Sequence, residues 1–384
     1  MRPARISFIT FFVLLLAAGC SGLRLRDSLT VSERDWPMFG RVESRTGATQ
    51  EVVTPPLTLQ WVHDITGGVG NGSPIVVDSV ILVANLRGEL YGINANNGKR
   101  LGWIDIAEAI QGAPVIDGNT AIVAATNTRE SLIAFDLVSG KVRWRRLYGD
   151  LEVSPLVHHQ KIFVGNTAGF FFCVDQATGD MIWKFEIADN THMKGIRSSA
   201  AIYAGAIFFG AEDGAVYALD AESGNLRWRS ETEGSIASTP CVSGETVFIG
   251  NLAGKVWAFD AASGAVRWKA SAGSSIYASP SVAHGLVYVG TTDGKLVALH
   301  GGTGETAWET DLGSVINSAP AVSGSVLYVG TLKKILYALD TANGAVLMKQ
   351  EVPGRIKTSP AVARGHVYVA TDERLILSFQ GSNQ

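Results

Sequence analysis

The chain has 384 residues, of which 46% are hydrophobic and 43 are glycine, and its formal net charge is −3, or −5 once Arg2 and Arg5 of the leader are set aside. A mildly acidic balance offers no electrostatic footprint for nucleic acid. Apolar richness with this much glycine suits many short buried strands joined by tight turns, and helical patterns are hard to find.

Residues 1 to 20 combine Arg2 and Arg5, an apolar run from Phe8 to Ala18, and the sequence Leu16-Ala17-Ala18-Gly19-Cys20. The run is too short to span a bilayer, and small residues ahead of a cysteine mark a cleavage site. This end resembles the lipobox of bacterial lipoproteins, which implies removal of residues 1–19 as a signal peptide and a lipid on Cys20. By the sorting rule of such proteins, Ser21 in place of Asp implies the outer membrane, with the protein facing the periplasm. Residues 20–56 are then expected to form a lipidated tether. Within them, Asp35-Trp36-Pro37-Met38-Phe39-Gly40 reads as an aromatic clasp on the fold that follows.

From residue 57 to 384 one paragraph of about forty residues is written eight times. Its landmark, the proline of a Ser-Pro-x-Val strand start, falls at Pro74, Pro114, Pro155, Ala200, Pro240, Pro280, Pro320 and Pro360, with spacings of 40, 41, 45, 40, 40, 40 and 40. Each landmark opens a short strand, followed by a second ending near Gly, a third such as Val216-Tyr217-Ala218-Leu219-Asp220, and a fourth carrying Trp (Trp144, Trp183, Trp228, Trp268, Trp308). Four short strands per unit predict an all-β, eight-bladed β-propeller of four-stranded antiparallel blades. The last unit stops after three strands, and Trp61 precedes the first complete unit. Residues 57 to 65 are therefore expected to close the ring by supplying the missing strand of blade eight.

Packing accounts for most residue types. Every Trp except Trp36 and Trp257 is assigned to the outer-strand position, wedged between neighbouring sheets. The cations flanking them (Arg143, Arg145, Arg227, Arg229, Arg267, Lys269) are expected to face water. Cys173 and Cys241 occupy small or apolar repeat positions and read as buried thiols, in neighbouring blades where a disulfide stays open.

Function is most visible where the repeats disagree. Three residues before the landmark the blades read Asn71, Gln111, Glu152, Arg197, Ala237, Tyr277, Asn317 and Lys357, followed after one small residue mostly by Ser or Thr. Eight innermost strands converge on a central channel, so these side chains should ring one mouth of it. The 45-residue spacing gives a longer connection from Glu186 to Arg197, containing Lys194, on the same face. Glu152, Lys194, Arg197, Tyr277, Asn317 and Lys357 are the candidate partner-binding residues. No histidine set has metal-ligand spacing and no Ser/His/Asp constellation stands out, so no catalytic, cofactor or metal site is assigned.

The units Val216-Tyr217-Ala218-Leu219-Asp220-Ala221-Glu222-Ser223-Gly224-Asn225-Leu226-Arg227-Trp228 and Val256-Trp257-Ala258-Phe259-Asp260-Ala261-Ala262-Ser263-Gly264 resemble the repeat of pyrroloquinoline-quinone-type propellers. That repeat is shared by quinone dehydrogenases, by the B lipoprotein of the outer-membrane β-barrel assembly machinery and by other envelope proteins. The enzyme branch implies a vicinal Cys pair, a Trp floor, a calcium site, an Asp base and long inter-blade insertions; here no two Cys are adjacent, each Trp except Trp36 and Trp257 falls in the outer-strand position, and the insertions are lacking. The assembly branch implies a non-enzymatic outer-membrane scaffold whose partner is the central barrel-inserting subunit, with the membrane reached through the lipid alone. Its Leu-rich, Arg-Gly-Glu-like stretch has only a loose counterpart in Lys194-Gly195-Ile196-Arg197. An envelope ligand- or protein-binding sensor propeller with another partner is the alternative, and a quinone-dependent dehydrogenase the third.

Overall fold

The computed structural model describes residues 22–126, 129–188 and 193–382. The expected signal peptide (residues 1–19), Cys20 and the centre of the long connection (residues 189–192) lie outside them. Among the described residues all regular structure is strand, arranged as eight antiparallel sheets of four strands, one of which gains a fifth short strand. The fourth blade shows the plan: Ala201–Tyr203, Ala206–Gly210, Ala215–Asp220 and Leu226–Glu231, from the axis outward. The middle strands are buried on both faces, so they read as continuous apolar runs, whereas the outermost strand alternates.

Ring closure follows the sequence expectation. Thr58–Asp64 pairs antiparallel with Leu375–Gln380, setting Trp61 opposite Ser378, and Ile75–Val77 of the first blade lies beside Ala361–Ala363 of the eighth.

The outer-strand tryptophans bridge blades. Trp228 stands opposite Ala218 in its own sheet and donates from Nε1 to Ala261 O of the next blade at 3.0 Å. Trp61, Trp144, Trp183, Trp268 and Trp308 repeat this bond to Ala95, Gln176, Ala221, Gly301 and Thr341. Their rings press on a glycine of the neighbour's turn: at Gly264, held at φ +71, a Cβ would lie 2.5 Å from Trp228. Trp103 departs from the expectation by one residue. Gly102 takes the repeat position opposite Gly92, and Trp103 stacks instead on Tyr91 with centroids 6.1 Å apart.

The residue before each Trp is extruded as a bulge, which turns it back toward the preceding turn. Arg227 and Arg267 are two such residues, and each pairs with the aspartate ending the third strand, Asp220 or Asp260, at 2.8 and 2.7 Å. These cations thus hold the turn as well as solvating the edge. Cys173 and Cys241 are both free and buried, and burial pushes the Cys173 thiol up to about 12.

Residues 22–56, expected as a tether, are packed on the ring. Leu23, Leu25, Trp36, Met38, Phe39 and Val53 are all buried. Eight innermost strands turn an unpaired edge toward the channel, and the segment satisfies most of those edges. Trp36 exchanges two backbone bonds with Val76, while the N–H groups of Ile116, Ile202, Val242, Val282 and Val322 donate to the carbonyls of Pro37, Glu43, Ser44, Thr46 and Gly47 at 2.8–3.1 Å. At its centre the buried guanidinium of Arg45 donates to Ala200 O at 2.9 Å, to Pro155 O at 3.2 Å and to Phe39 O. The segment is a strap wound along the inner edges of the ring, meeting the blades in order from Trp36 on the first to Gly47 on the seventh.

Candidate functional site

Each innermost strand begins at one end of the channel, and the residue just before its landmark is usually Ser or Thr. These hydroxyls form a belt. Those of Ser154, Ser199, Thr239, Ser279 and Ser359 accept the N–H of Ala113, Ser154, Ser199, Thr239 and Ala319 in the preceding blade, at 2.9–3.1 Å. Each bond stitches one blade to the next, so the positions two residues earlier are presented on a rigid frame.

Those positions line a cavity of about 260 Å³ at the mouth of the channel. Asn71, Gln111, Glu152, Arg197, Ala237, Tyr277 and Asn317 form its rim, the hydroxyl belt its wall, and Phe39 of the strap contributes from below. Lys357, assigned to the same ring, is not among the lining residues. Arg197 sits between two carboxylates, pairing with Glu152 of the third blade and, at 2.6 Å, with Glu212 of its own blade. The rest of the rim is uncharged, with the amides of Asn71, Gln111 and Asn317 and with Tyr277, half-exposed, two blades along from Arg197. Asn317 Oδ1 is buried without a hydrogen-bond partner.

Lys194 brings the long connection into the same neighbourhood. Its ammonium lies 3.7 Å from Glu186 and 5.7 Å from the centre of the Phe170 ring, while Met193 beside it is exposed. Next to these, Leu147, Tyr148, Phe170, Phe172, Met181 and Lys184 line a second concavity of about 370 Å³ between the second and third blades. Surface apolar groups beside a long connection suit contact with another protein.

Two rim elements escaped the sequence reading. Glu212 occupies a turn position where sibling blades carry Leu252, Thr292 and Leu332, a signal that comparing the turns would have exposed. Phe39 belongs to the expected aromatic clasp, but its place in the bowl depends on the strap lying inside the ring.

The family model described as outer membrane protein assembly factor BamB matches residues 42–185, 212–315 and 298–383, most of the chain. The chain belongs to the BamB family. A BamB from Legionella pneumophila (strain Paris) is 25% identical over 188 residues, 46% of this chain and 47% of that relative. A tetrathionate hydrolase from Acidithiobacillus ferrooxidans is 24% identical over 235 residues, 53% of this chain and 44% of that relative. The chain thus spans under half the length of either curated relative. The crystal structure of BamB from Moraxella catarrhalis superposes with a TM-score of 0.73 at 22% identity, covering 84% of this chain and 99% of that one, a likeness of fold.

Proposed function

We propose that this protein is a non-enzymatic scaffold that assists the assembly and insertion of β-barrel outer-membrane proteins. It is held at the outer membrane by a lipid on Cys20 and faces the periplasm, with residues 1–19 removed. The observation that carries this reading is the family match over most of the chain, joined to a rigid channel mouth whose side chains differ from blade to blade while the frame beneath them repeats. The partner is the central barrel-inserting subunit, docking on the mouth through Glu152, Arg197, Tyr277 and Asn317, with Lys357 and the long connection's Lys194 beside it.

Exposed charges contribute little to stability but set register and encounter at an interface. The test is co-purification of envelope partners with a mouth variant, Lys194→Glu, Tyr277→Ala and Lys357→Glu, against an edge variant, Arg145→Glu, Lys269→Glu and Lys349→Glu, with circular dichroism on both. Arg197 is left intact because reversing it would break its own pairs with Glu152 and Glu212. Loss of the barrel-inserting subunit from the mouth variant alone supports the reading, and loss from the edge variant alone overturns it. The bowl's size and polar rim favour as second reading a small polar ligand, as expected of an envelope sensor.

A further inference from the structure

The first blade lacks the tryptophan that bridges most blades to the next, and three separate contacts show what replaces it. Gly102 stands opposite Gly92 where other blades place Trp opposite a small residue, and Leu23 fills the space: a Cβ on Gly92 would meet Leu23 Cδ1 at 2.4 Å, and one on Gly102 would meet Gly22 O at 2.4 Å. The carbonyl of Leu137 holds the position that accepts an indole N–H in six other blades, the exception following Met348 of the seventh, and it accepts the N–H of Leu25 at 2.7 Å. The turn glycine of the second blade, Gly140, faces Leu23 O and Arg24 Cβ, at 3.2 and 3.1 Å from a Cβ, instead of an indole ring. Arg24 Nε adds a bond to Val138 O at 3.0 Å, and Leu23 is fully buried.

The strand order places this contact. Every innermost strand starts at the mouth and runs away from it, so the turns between third and fourth strands gather on the opposite face. Leu137 and Val138 belong to such a turn, between Leu132–Asp136 and Lys141–Arg146. From there the tail runs inward past Asn119, whose side chain accepts the N–H of Leu29 at 2.9 Å, to the strap.

We infer that residues 22–25 are a built-in substitute for the missing tryptophan, and that this docking fixes the lipid anchor at the rim of blades one and two on the face opposite the mouth. A lipid bilayer then apposes that rim, and the mouth opens away from it. This rests on the lipidation reading above. Cys20 precedes Leu23 by three residues, a reach of roughly 11 Å at most, so the lipid cannot wander to another blade while Leu23 stays seated. Arg24 and Arg26 on the tail, Lys99 and Arg100 on the first blade and Lys141 on the second are all exposed there, against the carboxylates of Asp27 on the tail and Asp117 on the second blade, an excess of cations that suits anionic headgroups.

The orientation is tested with the full lipidated protein in vesicles of phosphatidylethanolamine and phosphatidylglycerol containing a lipid-borne nitroxide quencher. A fluorophore is placed in turn on Ser139→Cys at the rim, Ala262→Cys on the same face across the ring, and Tyr277→Cys at the mouth. Strong quenching at residue 139, weaker at 262 and none at 277 is expected, and equal quenching at all three overturns the inference while leaving the lipid reading intact. Intact mass reports lipidation separately, and an unmodified Cys20 sinks both. The slot itself is tested by Gly102→Trp, which restores the repeat and should evict Leu23. Tryptic cleavage after Arg24 and Arg26 should then accelerate at least tenfold with an unchanged circular dichroism spectrum. Leu23→Asp, which alters only the tail, should do the same should Gly102→Trp fail to fold. Unchanged cleavage in a folded variant refutes the docking.

Discussion

Arg364 donates from Nε to the buried carboxylate of Asp35 at 2.7 Å, joining the eighth blade to a segment 329 residues earlier in the chain. The same carboxylate accepts the N–H of Asp78 in the first blade at 3.2 Å and that of Ser32 at 2.7 Å. One side chain thus ties the two blades that flank the seam of the ring. Asp35→Ala should lower stability by about 2 kcal/mol, because it removes a charge-assisted bond and leaves the Asp78 and Ser32 donors unpaired. Urea unfolding measures it, and a loss under about 0.5 kcal/mol, the size of an ordinary surface substitution, would mean that the strap does not hold the seam.

Arg45 presents a second test of the strap. Burial pushes its guanidinium down to about 9, and three backbone carbonyls receive its hydrogens. Arg45→Ala leaves those carbonyls without a donor and opens a void at the axis, an expected loss of about 3 kcal/mol. Thermal unfolding of the variant should stay cooperative with a lower midpoint.

Acid sensitivity should arise in the blade turns. Asp220 and Asp260 are held well below the usual carboxylate range, first by Arg227 and Arg267 and then by the N–H and hydroxyl of Ser223 and Ser263. A carboxylate whose folded pKa is depressed adds stability above its unfolded pKa, near about 4, and loses it as the pH falls through the folded value. The urea midpoint should therefore be level from neutral pH down to about 5 and decline below about 4. In Asp220→Asn/Asp260→Asn the midpoint should be lower at neutral pH and the acid decline shallower. An unchanged acid slope would assign the decline to other groups.

Gly264→Ala combines a strained φ of +71 with a 2.5 Å approach to Trp228, whereas Gly244→Ala at φ +58 meets nothing within 4 Å. The first should cost about 3 kcal/mol and the second about 1. Equal losses in urea would show that backbone strain alone matters and that the indole yields.

Deleting Thr58–Asp64 uncovers the Leu375–Gln380 edge and should give insoluble protein. Deleting residues 22–31 keeps the ring closed but vacates the Leu23 and Leu25 sites, so the protein should stay soluble with a lower unfolding midpoint. Light scattering and thermal unfolding separate the two.

The blade count, the order of strands in each blade and the closure by residues 57 to 65 are all legible in the sequence. They rest on local periodicity and on a repeat that recurs at a nearly constant interval, and each unit must bury its faces against its neighbours. The mouth positions are legible for the same reason, since one repeat position maps to one place on the ring. What the repeat does not encode is the unique segment before it. That Phe39 lines the bowl, that Arg45 feeds carbonyls of two blades, and that Leu23 and Leu25 stand in for an absent tryptophan are contacts between segments far apart in the chain. No periodicity marks them. Nor could the pairing of Arg197 with both Glu152 and Glu212 be read from spacing, because it depends on the rotation of one blade against the next. Local pattern determines which strands form and in what order, and only the closed ring decides which edges remain open for the tail and strap to fill.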